Sequence, residues 1–248
     1  MIIKQLNGYS TSKVFLIKEN NVLFVRKFDN IKRNLAKFES LKELNLPIPK
    51  ILSVGDDYYD IEYIKSLDIS NYLLQHNPID FLEFITNTID CLYKGEHIPK
   101  NYAETFYEKT KYIFEYKDQL KFTQDDLLKK MNNNLFSSTY FGDLSFDNIL
   151  YDIENKKFVL IDGVTTEYDS VIFDLAKLTQ DIKCKWFIRN ENVYINQHLN
   201  FLNKELSKRY EHYNNPYHSI LMMLRVLPYH RNEKDKNFIL KRVNELWS

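Results

Sequence analysis

The stretch Tyr140-Phe141-Gly142-Asp143-Leu144-Ser145-Phe146-Asp147-Asn148-Ile149-Leu150 places a carboxylate five positions ahead of a carboxamide. A second carboxylate, Asp162, ends the apolar run Phe158-Val159-Leu160-Ile161 and is followed by Gly163. Residues 149–151 and 158–161 read as the arms of a hairpin turning at 154–157, which brings Asn148 and Asp162 together at its open end. Phosphoryl transfer from ATP needs this inventory. Mg²⁺ is a hard ion held by carboxylate or amide oxygens together with phosphate oxygens. A further carboxylate orients the attacking hydroxyl and receives its proton, and positioning with charge neutralisation does the rest. Asp143 suits the base, and Asn148 and Asp162 suit the metal. A lone Asp or Asn in a loop is ordinarily a turn former or a helix cap. The ordered set of G-D-x-x-x-x-N, apolar run, hairpin gap and I-D-G is far rarer by chance.

These segments resemble the catalytic and metal-binding loops of the aminoglycoside phosphotransferase/choline kinase family, whose pattern is H-G-D-x-x-x-x-N-I-L and then I-D. The family's next hallmark, an aspartate in a D-L-A stretch, has its counterpart in Phe173-Asp174-Leu175-Ala176, where the resemblance implies a structural role for Asp174. The resemblance covers roughly residues 6–180. It implies an α+β fold of protein-kinase type, with a small antiparallel-sheet N-terminal lobe (1–66) that binds nucleotide and a larger, mainly helical C-terminal lobe (67–248) that carries the base and the acceptor pocket. It implies ATP, with GTP as the alternative nucleotide, and Mg²⁺ as cofactors. The acceptor would be the hydroxyl of a sugar, an amino alcohol or an aminoglycoside-like compound.

Further residues follow from the same resemblance. The loop 6–15, with Gly8 and Ser10, is similar to the family's nucleotide-covering loop, whose backbone N–H groups can face phosphates. Lys27 matches the basic residue on the third strand that holds ATP phosphates; a register shift of one hands that role to Arg26. Glu39 on the following helix is the candidate partner of that lysine, with Glu43 one turn further on. Glu62 and Ile64 lie in the connector whose main chain meets adenine. Phe141 departs from the pattern, standing where the family has a histidine that braces the catalytic loop. That departure keeps a second reading open, a catalytically inactive kinase-like nucleotide-binding or scaffold protein. A protein kinase is disfavoured, because no A-P-E segment follows Asp162 and Asp174 arrives too soon for an activation loop.

The elements that position these groups are legible in outline. Residues 14–17, 22–25, 51–54 and 58–64 read as strands, with 18–21 a hairpin turn. Ile31, Leu35, Phe38, Leu41 and Leu44 fall at helical spacing ahead of Pro47. Helices are expected over 104–117, 123–136, 173–182, 193–210, 218–227 and 235–247, and Leu82, Ile85, Ile89 and Leu92 mark one more. The 34 basic and 34 acidic residues cancel, which gives no long-range pull toward nucleic acid or an acidic membrane. No run reaches the ~20 apolar residues of a membrane span, and Cys91 and Cys184 read as free thiols. These features lead to the expectation of a cytoplasmic protein. The aromatic residues Trp186, Tyr210, Tyr213 and Tyr217 could line an acceptor pocket or pack between helices, and Glu167 and Asp169 could meet a cationic acceptor or simply be solvated. His230 could face a substrate or the solvent.

Overall fold

The computed structural model describes residues 1–6, 13–191, 193–230 and 232–247. Its N-terminal part is a five-stranded antiparallel sheet in the order β1-β2-β3-β5-β4, built from β1 (Ile2–Leu6), β2 (Lys13–Glu19), β3 (Val22–Phe28), β4 (Ile51–Val54) and β5 (Tyr59–Glu62). The β2–β3 hairpin closes at Asn20 and Asn21, both with positive φ (48° and 63°). Two left-handed residues in a two-residue loop match the twist of the strands they join, and Asn tolerates that conformation. Helix α1 (Ile31–Glu43) starts at Asn30, whose side chain accepts from the Arg33 N–H, and lies against one face of the sheet. The cluster there consists of Val25, Phe38, Tyr59 and Ile61.

The rest is mainly helical. It comprises α2 (Ile69–Gln75), α3 (Ile79–Tyr93), α4 (Ala103–Thr110), α5 (Gln124–Lys130), α6 (Val171–Ile182), α7 (Asn196–Arg209), α8 (Pro216–Leu224) and α9 (Glu233–Leu246). Two small sheets are set among them. One pairs β6 (Ser66–Leu67) with β9 (Ile149–Asp152) and β9 with β10 (Lys157–Leu160); the other pairs β7 (Ile98–Asn101) with β8 (Asn134–Ser137). Helix α6 is the centre of this part. All of its residues are buried, and it packs on α3, α7 and α8. A helix enclosed on every side should be apolar all round. Asp174, Lys177, Thr179, Gln180 and Asp181 therefore each need a specific partner.

The structure corrects several element expectations. The helix expected over 123–136 stops at Lys130, and residues 134–137 pair instead with 98–101. The helix expected over 104–117 gives way at Lys111 to a 3₁₀ segment. Strand β6 and helix α2 carry no signal read beforehand. Tyr210, Tyr213 and Trp186 are buried in the helical cores, so their role is packing. Both cysteines are free. Among the described residues no helix is long and apolar enough to cross a membrane.

His218 on α8 is fully buried, and neither ring nitrogen has a hydrogen-bond partner among the described residues. Burial first, and His212 second, lower its pKa to about 4. Below the ordinary pKa of 6.5 the unfolded chain binds a proton that the folded chain refuses until about pH 4, so this group's contribution to stability falls as pH drops through that window. The loss expected across it is about 3.5 kcal/mol at most, at ~1.4 kcal/mol per unit. His218→Phe should flatten the pH dependence of the urea midpoint between pH 7 and pH 5. An unchanged slope in the variant would remove His218 as its source.

Candidate active site

Asp143, Asn148 and Asp162 come together at the open end of the β9–β10 hairpin, where Ile149 pairs with Leu160. The Ile161 N–H donates to the Asn148 carbonyl at 2.9 Å, which fixes the residue before Asp162 to the residue before β9. Asn148 Nδ2 donates to the Asp143 carbonyl at 2.8 Å and to Asp143 Oδ2 at 3.1 Å. With its amide nitrogen so used, Asn148 keeps its Oδ1 as an acceptor. Asp162 adopts a left-handed backbone (φ 59°) and pairs with Lys27 Nζ, which reaches over from β3. Asp143 keeps a third of its side chain open to solvent.

Lys27 is nearly buried; burial lowers its pKa to about 8, with Asp29 acting the other way. Arg26 points to the opposite face of the sheet, where Nε and Nη2 grip Asp60 at 2.8 and 2.9 Å. Strand alternation makes this either/or: one of two neighbours faces the cleft. A cavity of about 1130 Å³ opens on that outer face beside Arg26 and Phe28, and neither Asp143, Asn148 nor Asp162 lines it.

Other expected residues are placed differently. Glu39 is exposed and does not meet Lys27, whose carboxylate partner is Asp162. The face of α1 that looks inward carries Lys37 and Leu41, and a residue two positions from Lys37 lies about 200° around the helix. Glu43 is likewise exposed. Glu62 donates its N–H to the Lys50 carbonyl at 3.0 Å and accepts from the Lys50 N–H at 3.1 Å, so it joins β5 to β4 and offers no N–H to a base. The main chain of Ile64 makes no hydrogen bond among the described residues and is free to do so. Gly8 and Ser10 lie outside the described residues. Asp169 is engaged by Lys100 Nζ and the Tyr102 hydroxyl, and Glu167 by Lys109. His230 Nδ1 approaches the Leu227 carbonyl at 2.7 Å.

The catalytic loop hangs from α6. The Asp174 carboxylate, 1% exposed, accepts from the N–H groups of Phe141 (2.6 Å), Gly142 (2.9 Å) and Leu144 (3.3 Å). Burial raises its pKa to about 6 against the pull of those donors and of Lys37. One turn on, Lys177 Nζ meets Asp143 Oδ1 at 2.9 Å and Gln180 Oε1 at 3.2 Å. A further turn on, Asp181 Oδ2 accepts from the Phe146 N–H at 2.7 Å. Burial, then Asp147, push the Asp181 carboxyl well above the ordinary range. Burial also opposes ionisation of Asp143, but Lys177, Arg225 and Asn148 outweigh it, so its pKa lies below the ordinary value.

From the other side Lys37 of α1 donates to the Tyr140 carbonyl, with its ammonium 3.7 Å from the centre of the Tyr140 ring. Phe141 is fully buried, and its ring lies against Gly163, so packing braces the loop where the resembled family uses histidine. Gly142 has φ 100°, and a Cβ there would lie 2.1 Å from the Val164 carbonyl oxygen. Glycine alone fits that turn. Lys37, Lys177 and Asp181 were not foreseen. The available signal was the spacing 174, 177, 181, which places three polar groups on one stripe of an apolar helix.

No family model and no curated protein sequence matches this chain. Solved structures do. A thermostable mutant of aminoglycoside phosphotransferase APH(4)-Ia, in ternary complex with ADP and hygromycin B, is similar with a TM-score of 0.65 at 13% identity, over 98% of this chain and 92% of that one. A protein from Haemophilus somnus 129PT, provisionally named a fructosamine-3-kinase, is similar with a TM-score of 0.61 at 12% identity, over 99% of this chain and 90% of that one. At identities this low the likeness shows the fold alone: an antiparallel-sheet lobe and a helical lobe arranged as in these two solved structures.

Two outcomes follow. Asp174→Ala strands three buried loop N–H groups and should cost on the order of 3 kcal/mol or more, read from urea unfolding. A loss under ~1 kcal/mol would mean that those donors find other acceptors. Lys177→Met should raise the pKa of Asp143, followed by carbon-13 NMR of the carboxyl, and Lys177→Arg should largely restore it. The sign is that of a carboxylate losing its cation.

Proposed function

We propose that the chain transfers the γ-phosphoryl group of ATP to a hydroxyl of a small molecule. The observation that carries this reading is the joining of Asp143 to Asn148 at 3.1 Å beside the Lys27–Asp162 pair, with Asp143 still open to solvent. The acceptor hydroxyl donates its proton to Asp143 as its oxygen bonds to the γ-phosphorus. The bond from that phosphorus to the bridging oxygen of ADP breaks, giving a phosphate ester, ADP and a proton. Lys177 favours the ionised form of Asp143 before attack and stays close enough to compete with the incoming proton afterwards.

The donor side is assembled from Lys27, Asp162, Asn148 and the free main chain of Ile64. Asn148 Oδ1 and the Asp162 carboxylate are hard oxygen donors, and this set fits Mg²⁺ shared with nucleotide phosphates. When bound, the ion neutralises charge on the β- and γ-phosphates. Among the described residues no three His, Cys, Asp or Glu side chains form a group that could hold a metal ion. Lys27, now on Asp162, is then free to turn to the phosphates. The relatives solved with ADP and hygromycin B support nucleotide use and a hydroxyl-bearing acceptor at a site of this kind. The scaffold reading starts from Phe141. The packed ring and the three N–H bonds to Asp174 leave the loop braced, which favours the enzyme.

Asp143→Asn should keep Mg²⁺-dependent ATP binding within a few-fold and lower transfer by roughly 10³-fold or more, the scale on which loss of a base and its orienting charge acts. Binding is read by calorimetry and transfer by coupled ADP release across a panel of sugars, sugar acids and amino alcohols, with GTP tried beside ATP. Normal turnover by the variant would overturn the assignment of the base. Failure of the wild type to bind either nucleotide with Mg²⁺ would favour the scaffold.

A further inference from the structure

Lys37 is 7% exposed, and among the described residues its ammonium forms no ion pair with a carboxylate. It donates instead to the Tyr140 carbonyl and sits 3.7 Å from the centre of the Tyr140 ring. Burying a charge without a counter-ion is costly, and a packed apolar side chain serves a helix contact as well or better. Docking of α1 alone therefore gives no reason for the ammonium. Its acceptor does.

The Tyr140 carbonyl and the Phe141 N–H belong to one peptide group. Lys37 holds the first, and Asp174 Oδ2 holds the second at 2.6 Å. A peptide group is planar, so bonds at its two opposite edges fix its tilt as well as its place. Lys37 comes from α1 and Asp174 from α6, which sets this one peptide between a cation and an anion on separate helices. Gly142, with φ 100°, follows, and then Asp143. A glycine adds little restraint of its own. The direction of the Asp143 side chain therefore depends on how firmly the peptide ahead of Gly142 is held.

The rest of that stripe of α1 repeats the pattern. Arg33, Lys37 and Leu41 follow at four-residue spacing and share a face. Arg33 donates to the Thr165 carbonyl, and Leu41 lies against Gly163. The Val164 N–H in turn donates to the Phe141 carbonyl at 3.1 Å. One face of α1 thus spans the two stretches that carry Asp143 and Asp162.

We propose that Lys37 is a positioning residue for the base: it holds the Tyr140–Phe141 peptide against Asp174 and so sets the direction in which the Asp143 carboxylate meets the acceptor hydroxyl. The proposal rests on the phosphotransferase reading and adds to it a residue that acts only through the main chain. It also makes the seat of α1 a condition of catalysis, since the same helix that packs on the sheet supplies the ammonium.

The test compares Lys37→Met, which keeps the stem and removes the ammonium, with Lys37→Arg, which restores a cationic donor. Lys37→Gln replaces the first variant should it fail to fold. Amide hydrogen exchange is followed at Phe141, Gly142 and Leu144 in nitrogen-15-labelled protein, with the amides of α6 as reference. Turnover is read as ADP release from Mg²⁺ and ATP with the best acceptor of the panel, or with water where none of the panel reacts. In Lys37→Met the three loop amides should exchange about tenfold faster or more while α6 is unchanged. The kcat should fall about 10- to 100-fold with the KM for ATP held within about threefold, and Lys37→Arg should recover most of both losses. A kcat within about threefold of wild type overturns the proposal whether or not the loop amides respond, because Lys37 then only docks α1. A fall in kcat that comes with faster exchange throughout α6 overturns it too, as general loosening. Failure of the phosphotransferase reading shows in the wild type, as absent binding and turnover of ATP; failure of the Lys37 role alone shows in the variants of an active wild type.

Discussion

The Asp174 carboxylate is the point from which the site is suspended. It is buried, its burial opposes its own ionisation, and it holds the N–H groups of three residues in the loop that carries Asp143. A loop with a left-handed glycine has no ladder of its own to satisfy those donors. The same helix supplies Lys177 to Asp143 and Asp181 to Phe146. One face of α6 thus fixes the position of Asp143 and its charge state, and the apolar remainder of the helix locks that face into the core. The stability of α6 and the geometry around Asp143 are therefore tied together.

The sequence shows such an arrangement only in part. The short-range features were readable: the Asn20-Asn21 hairpin, the β9–β10 hairpin, α1, and the carboxylate and carboxamide pattern that the hairpin gathers. Asp174 was legible because its spacing to the loop follows a known pattern. Lys177 and Asp181 were not, because a polar residue in an apolar helix gives no sign of its partner. The β7–β8 pair was hidden for a different reason. Its strands are four residues each and more than thirty positions apart, and the run 123–136 offers a helical alternative until the pairing is made.

Glu39 illustrates the limit of carrying a pattern across low similarity. The resembled arrangement sets a helix glutamate against the strand lysine. Here α1 turns Lys37 inward to the Tyr140 carbonyl, and Lys27 rests on Asp162 instead. The helix thus makes its polar contact with the loop that carries Asp143, and the strand makes its own with Asp162. Two contacts replace one, and neither uses Glu39.

Helix α1 is also clipped to the helical part by Arg33 on the Thr165 carbonyl and by Leu41 against Gly163. Among the described residues the sheet that carries Lys27 meets α1 through four buried side chains, Val25, Phe38, Tyr59 and Ile61, with Leu6, Val14, Leu16, Ile31 and Ile48 partly buried around them. Of the three apolar clusters among the described residues this one is the smallest, which makes the joint between sheet and α1 the softest apolar contact. A tilt at that joint would carry Lys27 away from Asp162 and leave Asp143, hung from α6, where it is. Compliance thus falls on the side of Lys27 and rigidity on the side of Asp143.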